Sequence, residues 1–87
     1  MKFRKKPIVI EAVQWNGKNT EEVEKFVGQK LSMLVPYKKD VVVLIIPTLE
    51  SSHEASMNDW IIKGVQGEFY PCKPDIFHLT YEEENEG

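Results

Sequence analysis

Cysteine is nearly absent from this 87-residue sequence: Cys72 is the only one, so no disulfide can form within the chain. This excludes the class of small secreted domains that disulfides hold together. Long apolar runs are also missing, because the longest, Val41–Ile46, is far shorter than the roughly 20 residues of a membrane-spanning helix. Glu11 interrupts the apolar stretch Ile8–Ile10, so we expect no secretory leader and a cytoplasmic location.

A strong excess of one charge is missing too. Eleven basic and fourteen acidic residues give a formal net charge of −3. The acidic excess lies in residues 82–86, and the body without those four glutamates carries 11 basic and 10 acidic residues, or +1. A near-neutral body disfavours duplex-DNA binding, which needs a broad cationic face. A small basic arm remains at the start, formed by Lys2, Arg4, Lys5 and Lys6.

Motifs for catalysis or metal binding are scarce. Cys72 and His78 lie six residues apart, but nothing in the sequence places an orienting third group beside them, so a structural thiol is favoured. His53 and Asp75 complete a set of metal-ligand types without the paired spacing of zinc sites. The glycines lack the GK[ST] sequence of a phosphate-binding loop. Other acids are expected on the solvated surface: Glu50, Glu54, Asp59 and Glu68. The sequence therefore predicts no enzyme, no metal site and no cofactor.

Branched aliphatic residues dominate the apolar composition, with 16 valines and isoleucines against 7 leucines and alanines, which favours strands over helices. One short helix is predicted between Asn19 or Thr20 and Gly28, and Asp75 is predicted to cap a single further turn. We expect Leu79 and Tyr81 to pack back on the sheet. Strands are predicted over 7–15, 31–37, 41–46, 60–63 and 68–72, with room for a short one in 51–58.

These elements predict an α+β fold with a small, curled, mainly antiparallel sheet of about five strands and one short helix after the first strand. Residues 1–81 are expected to form a single compact domain, and residues 82–87 an acidic disordered tail. Segments 60–63 and 68–72 are expected to form a hairpin around the glycine-containing loop 64–67.

Aromatic residues concentrate near this hairpin. Phe69 and Tyr70 are consecutive in one strand and therefore point to opposite faces, so one of them is expected to face away from the main core. An outward ring beside lysines can stack on a planar ligand and pair with a phosphate, whereas the alternative is that the rings fill both sheet faces or a dimer interface. The candidate ligand-binding residues are Trp60, Lys63, Glu68, Tyr70 and Lys73.

The opening residues MKFRKKPIVIEAVQW, the segment IPTLE and residues 59–77 (DWIIKGVQGEFYPCKPDIF) resemble a family of small phage and prophage proteins of unassigned function. The hairpin also resembles the PGDYG-type motif of related short proteins. Where that motif has Pro-Gly-Asp-Tyr or Pro-Gly-Asp-Trp, this chain has Met57-Asn58-Asp59-Trp60. Asparagine tolerates positive φ next best after glycine, so the same turn is expected with Asn58 in that conformation.

The resemblance implies a phage accessory protein in the bacterial host cytoplasm, with no membrane contact. We expect a non-enzymatic module that binds a host protein or a small, nucleotide-like ligand. One alternative is a structural or assembly protein that forms a homodimer or larger homo-oligomer through a sheet edge such as Val41–Ile46. A second is single-stranded nucleic-acid binding through the basic arm and exposed rings.

Overall fold

The computed structural model describes residues 1–4, 6–34, 42–48 and 51–83. Their elements, in chain order, are β1 (Glu11–Gln14), α1 (Thr20–Val27), β2 (Met33–Leu34), β3 (Val43–Pro47), β4 (Ser52–Ala55), β5 (Trp60–Lys63), β6 (Phe69–Cys72) and α2 (Pro74–Thr80). The predicted α+β class, the antiparallel pairing and the helix after the first strand are confirmed. The predicted strand residues 35–37 and 41 lie outside the described residues.

The strands form two three-stranded sheets rather than the single five-stranded sheet expected from the sequence. Their orders are β1-β5-β6 and β2-β3-β4. The additional strand is β4, in the segment where the sequence left room for one. Strands β3 and β4 both approach β6, so the two sheets bury their apolar sides against each other. Two short sheets facing each other bury more apolar surface than one flat sheet with a single helix.

Strand β3 lies between β2 and β4, so both of its edges are paired. An open edge along Val41–Ile46, which the sequence offered as a dimerisation surface, is therefore not present in the described part of that segment. The strand was expected at an edge because the sequence did not show β4 clearly. Self-association of the chain stays a prediction.

The core lies between the two sheets and α1. Its fully buried members come from every layer: Trp15, Val23, Leu44, Ile46, Ala55 and Ile61. The amphipathic stripe predicted for the helix is confirmed, because Val23 is buried and Phe26 and Val27 pack against the same cluster. Helix α1 ends as predicted at Gly28, whose φ of 87° is left-handed and whose N–H donates to the Glu24 carbonyl oxygen at 2.7 Å.

The first strand is shorter than the predicted 7–15, because its pairing partner β5 ends at Lys63. Glu11 pairs with Lys63, the last residue of β5, and the chain turns at Gly64. Residues 7–10 have no strand to pair with, and Val9 is 75% exposed. The described N-terminal residues, 1–4 and 6–10, form an irregular arm, which we call the N-terminal arm.

The C-terminal helix is longer than the single predicted turn. Lys73 is extended, as the residue before a proline must be, and Pro74 begins the helix, so Asp75 lies in the first turn and not at the cap. Leu79 is 86% exposed, so the expectation that it packs back was wrong. Tyr81 does pack back, with its ring centroid 5.2 Å from that of Phe77. None of the helices in the described residues has the length and apolar character needed to cross a membrane.

The hairpin of β5 and β6 is confirmed, and so is the turn before it. Asn58 has a φ of 75°, the only positive φ found at a non-glycine residue in the described part of the chain. Its N–H donates to the Trp15 carbonyl oxygen at 2.6 Å, which ties the turn to the end of β1. Glu82 and Glu83 of the predicted tail are exposed, and residues 84–87 lie outside the described residues.

Candidate functional site

The two faces of the β1-β5-β6 sheet have different neighbours. Ile61 and Phe69 point to the central core, and Phe69 packs edge-on against Phe26 with ring centroids 5.4 Å apart. Ile62 and Tyr70 are cross-strand partners on the opposite face. The prediction that Phe69 and Tyr70 lie on opposite faces is therefore confirmed, and Tyr70 is the ring that faces away from the core.

Helix α2 covers part of this second face. The Trp60 indole stacks on the Phe77 ring, with centroids 4.3 Å apart and planes 5° from parallel. The indole Nε1 is buried and has no hydrogen-bond partner among the described residues. Ile62, beside it on the same face, is only 1% exposed. Trp60 therefore serves as packing beneath α2, and its polar edge is closed to an incoming ligand.

Beyond the covered region, the same face opens into a groove of about 420 Å³. Three segments form it: the N-terminal arm, the turn of the β5–β6 hairpin, and the last residues of α2 with Tyr81. The lining residues are Lys6, Pro7, Ile8, Ile10, Gly64, Val65, Glu68, Tyr70, Thr80 and Tyr81. We call it the arm–hairpin groove. It combines aliphatic walls with two phenol rings, one ammonium group and one carboxylate.

Tyr70 and Tyr81 meet inside the groove and are hydrogen-bonded through their hydroxyl groups. Burial, followed by this hydrogen bond and the nearby Glu68 carboxylate, raises the pKa of Tyr70 from 10 to about 12. The Tyr70 phenol is thus held in its protonated form throughout the physiological range. It is a hydrogen-bonding group of the groove and a poor general base at neutral pH.

Glu68 is positioned by the hairpin turn. Its side chain folds back over Gly64 and fills the space that a β-carbon at that position would need. The Gln66 N–H points to Oε1 of Glu68 at 3.4 Å, a long contact. The backbone of the turn is closed separately by the Gly64 N–H, which donates to the Glu68 carbonyl oxygen at 2.7 Å. The absence of a side chain at Gly64 therefore allows the carboxylate to lie at the groove wall.

Lys6 and Glu68 carry opposite charges on the lining of the same groove. They are not ion-paired with each other, since the only ion pair within the described ranges joins Lys73 and Asp59.

Lys63 lies next to this groove and not in it. It lines a smaller depression of about 170 Å³ on the other side of Gly64 and Val65, together with Val9, Ile10 and Glu11. Lys63 follows Ile62 in β5, so it points to the opposite face of the sheet from Tyr70.

Lys73 has a structural partner elsewhere. Its Nζ lies 3.2 Å from Oδ2 of Asp59, which is 2% exposed and also accepts a hydrogen bond from the Ser56 N–H at 2.9 Å. This arrangement joins the start of α2 to the turn before β5. Asp59, expected on the solvated surface, is instead buried, because the turn uses its carboxylate to satisfy a backbone donor.

Of the five candidate residues, Glu68 and Tyr70 share the arm–hairpin groove, Lys63 lies in the neighbouring depression, and Trp60 and Lys73 lie outside both. Sequence reasoning missed Lys6, although the basic arm was noted, and it missed Tyr81 as a lining residue. A local signal for Tyr81 existed in the ring pattern of 77 and 81, which are neighbours on a helix.

Other reactive residues do not gather into a site in the described part of the chain. No group of three or more His, Cys, Asp or Glu side chains that could hold a metal ion occurs there. The Sγ of Cys72 lies 3.6 Å from the Lys73 carbonyl oxygen, and His78 packs edge-on against Trp60 with ring centroids 6.1 Å apart. Comparisons of this chain with protein-family models, curated proteins and solved structures find no match.

Proposed function

We propose that this protein is a non-enzymatic binding module that holds a small ligand, a planar ring carrying an anionic group, in the arm–hairpin groove. The observation that carries the proposal is the groove itself, in which Lys6, Glu68 and the Tyr70–Tyr81 pair line one open space of about 420 Å³. Ligand sites of proteins usually measure roughly 300–1,000 Å³ and combine apolar walls with a few polar groups.

The lining residues of the groove can contact both the planar ring and the anionic group of this ligand. Pro7, Ile8, Ile10 and Val65 offer aliphatic surface, and the tyrosines offer ring surface, against which a planar heterocycle can pack. Lys6 offers an ammonium group for a phosphate or carboxylate, and Lys2 and Arg4 of the same arm add positive charge nearby in the sequence. A nucleotide is the common biological molecule with this pair of features.

Binding without chemical conversion fits the same residues. The Tyr70 phenol, with a pKa of about 12, does not exchange protons readily at neutral pH. Among the described residues that line the groove there is no cysteine, serine or histidine, and the Thr80 hydroxyl donates to the Ile76 carbonyl oxygen at 2.9 Å. The phage or prophage origin implied by the sequence resemblance, and with it a role in the cytoplasm of a bacterial host, belongs to this proposal.

Adenosine monophosphate and adenosine test the proposal, since they differ only in the phosphate. Titration followed by amide NMR should shift signals of the arm, the hairpin turn and Tyr81, with the nucleotide binding more tightly. Lys6→Ala should weaken the nucleotide about tenfold and leave adenosine unchanged. The matched control is Lys30→Ala, since Lys30 is exposed and does not line the groove. Absence of any shift at millimolar nucleotide would rule the function out.

A protein partner is the second candidate, and a specific observation favours it. Ile8 and Val65, which line the groove, are 48% and 72% exposed, and Val9 beside the groove is 75% exposed. Clustered exposed aliphatic residues are typical of protein-binding surfaces. Light scattering shows whether the chain is a monomer or self-associates. Binding of single-stranded oligonucleotides that weakens steeply with salt would instead indicate a nucleic-acid partner.

A further inference from the structure

We infer that Glu68 selects, among the ligands of the arm–hairpin groove, those whose ring carries an N–H donor, such as the exocyclic amino group of cytosine. The inference rests on the proposed function and adds a specificity to it. The geometry that points to it is a carboxylate that lies over Gly64 at the wall of the same groove that Lys6 lines.

The ionised carboxylate has only acceptor positions, four in all. In the described structure Glu68 receives one long contact from the Gln66 N–H, at 3.4 Å, and no ion pair. Most of its acceptor capacity is therefore unused within the described part of the chain. A ring amino group satisfies it, whereas a ring carbonyl at the same place brings two acceptors together and is rejected.

The hairpin turn leaves room for the carboxylate at this place. Gly64 has no side chain in the space that the Glu68 carboxylate occupies, and the charge of Glu68 contributes to the raised pKa of Tyr70 in the same groove. A polar group at the wall of a groove discriminates between ligands because a mismatched ligand leaves it without a partner.

Lys6 and Glu68 line the same groove, one from the N-terminal arm and the other from the hairpin. Lys6 attracts the anionic group of a bound nucleotide, and Glu68 is available to its ring. The two charged residues therefore recognise different parts of the ligand. Lys6 distinguishes a nucleotide from a nucleoside, and Glu68 distinguishes one base from another.

Cytidine and uridine monophosphates provide the test, because they differ at one ring substituent, an amino group in cytidine and a carbonyl oxygen in uridine. Isothermal titration of the full chain should give about tenfold tighter binding of the cytidine nucleotide. Glu68→Gln should bring the ratio near one, since the amide can donate to the uridine carbonyl oxygen. Glu54→Gln, an exposed acid on β4, is the matched control and should keep the tenfold ratio.

Gly64→Ala gives an independent variant. A β-carbon at this position moves the Glu68 carboxylate away from the groove wall, while the net charge of the protein stays the same. It too should reduce the ratio. Lys6→Ala should weaken both nucleotides equally and keep the ratio. Equal binding of the two nucleotides by the unaltered chain, or a ratio that survives Glu68→Gln, would overturn the inference and leave the proposed function standing. Failure of adenosine, cytidine and uridine nucleotides alike would overturn both.

Discussion

Trp60 and Phe77 stack almost parallel, with ring centroids 4.3 Å apart, and this contact joins the first strand of the hairpin to the C-terminal helix. Phe77 also contacts Tyr81, which lines the arm–hairpin groove. The stack therefore places one wall of the groove relative to the others. Helix α2 has no residue that is fully buried, so a few ring contacts must hold most of it in place.

Phe77→Ala should lower the free energy of unfolding by about 2 kcal/mol, since it removes both a half-buried ring and a favourable aromatic pair. Trp60 should become exposed, and its fluorescence should shift to longer wavelength. Chemical denaturation followed by fluorescence measures both effects.

The control lies two residues further along the same helix. Leu79 is 86% exposed, and Leu79→Ala should change stability by less than about 0.5 kcal/mol. Equal effects of the two substitutions would show that the Trp60 stack does not hold the helix.

The buried carboxylate of Asp59 matters more for stability than the lysine paired with it. Asp59→Ala leaves the Ser56 N–H without its acceptor and should cost about 2 kcal/mol. Lys73→Ala should cost at most about 1 kcal/mol, because the Lys73 side chain is 59% exposed and its ion pair is screened by solvent.

Thermal melts of the two variants at equal salt compare these effects directly. The decisive result is which of the two variants loses more stability. If Lys73→Ala destabilised the protein as much as Asp59→Ala, the ion pair and not the backbone hydrogen bond would be the main contribution of Asp59.

Local patterns in the sequence sufficed for α1 and for the β5–β6 hairpin, whereas the turn at Asn58 was expected from the resemblance of residues 57–60 to the PGDYG-type motif. Each depends on residues close together in the chain, such as the stripe that begins at Val23 and the stop at Gly28. The division into two sheets was not predictable, because it depends on how β6 meets β3 and β4 across long separations in sequence.

The groove was predictable only in part, for the same reason. Tyr70 and Glu68 were named as candidates because both belong to the predicted hairpin, and in the structure both line the groove. Lys6 and Tyr81 come from opposite ends of the chain and reach the groove only because β1 stops at Glu11 and α2 extends to Thr80. Trp60 was assigned to a binding surface because it alternates with Ile61 in the strand and was expected to face outward, and the sequence did not show that Phe77 stacks on it.

The positive φ of Asn58 gives a matched pair of substitutions at one position. Asn58→Gly should leave stability unchanged or raise it by up to about 1 kcal/mol, because glycine adopts this conformation without strain. Asn58→Ala should lower stability by about 1 kcal/mol, because alanine meets the steric penalty of the left-handed region. Thermal melts give both values, and a clear loss of stability in the glycine variant would contradict the turn geometry.

Alkaline pH should destabilise the protein through Tyr70. Its pKa in the folded chain is about 12, whereas an unperturbed tyrosine has a pKa of 10, so folding favours the protonated phenol. This contribution to stability is fully present below pH 10 and is lost as the pH rises from 10 through about 12. Tyr70→Phe removes the titrating group and should flatten the dependence of the melting temperature on pH in that window.

Tyr81 supplies the comparison for this titration. Tyr81→Phe removes the hydrogen-bond partner that helps to raise the Tyr70 pKa, so Tyr70 should ionise at lower pH in that variant than in the unaltered chain, as followed by tyrosinate absorbance. The burial contribution remains in the Tyr81 variant, so its alkaline loss of stability should be reduced but not abolished. If Tyr70→Phe lost stability between pH 10 and 12 as steeply as the unaltered chain, the destabilisation would originate in another group and the phenol pair could not be its cause.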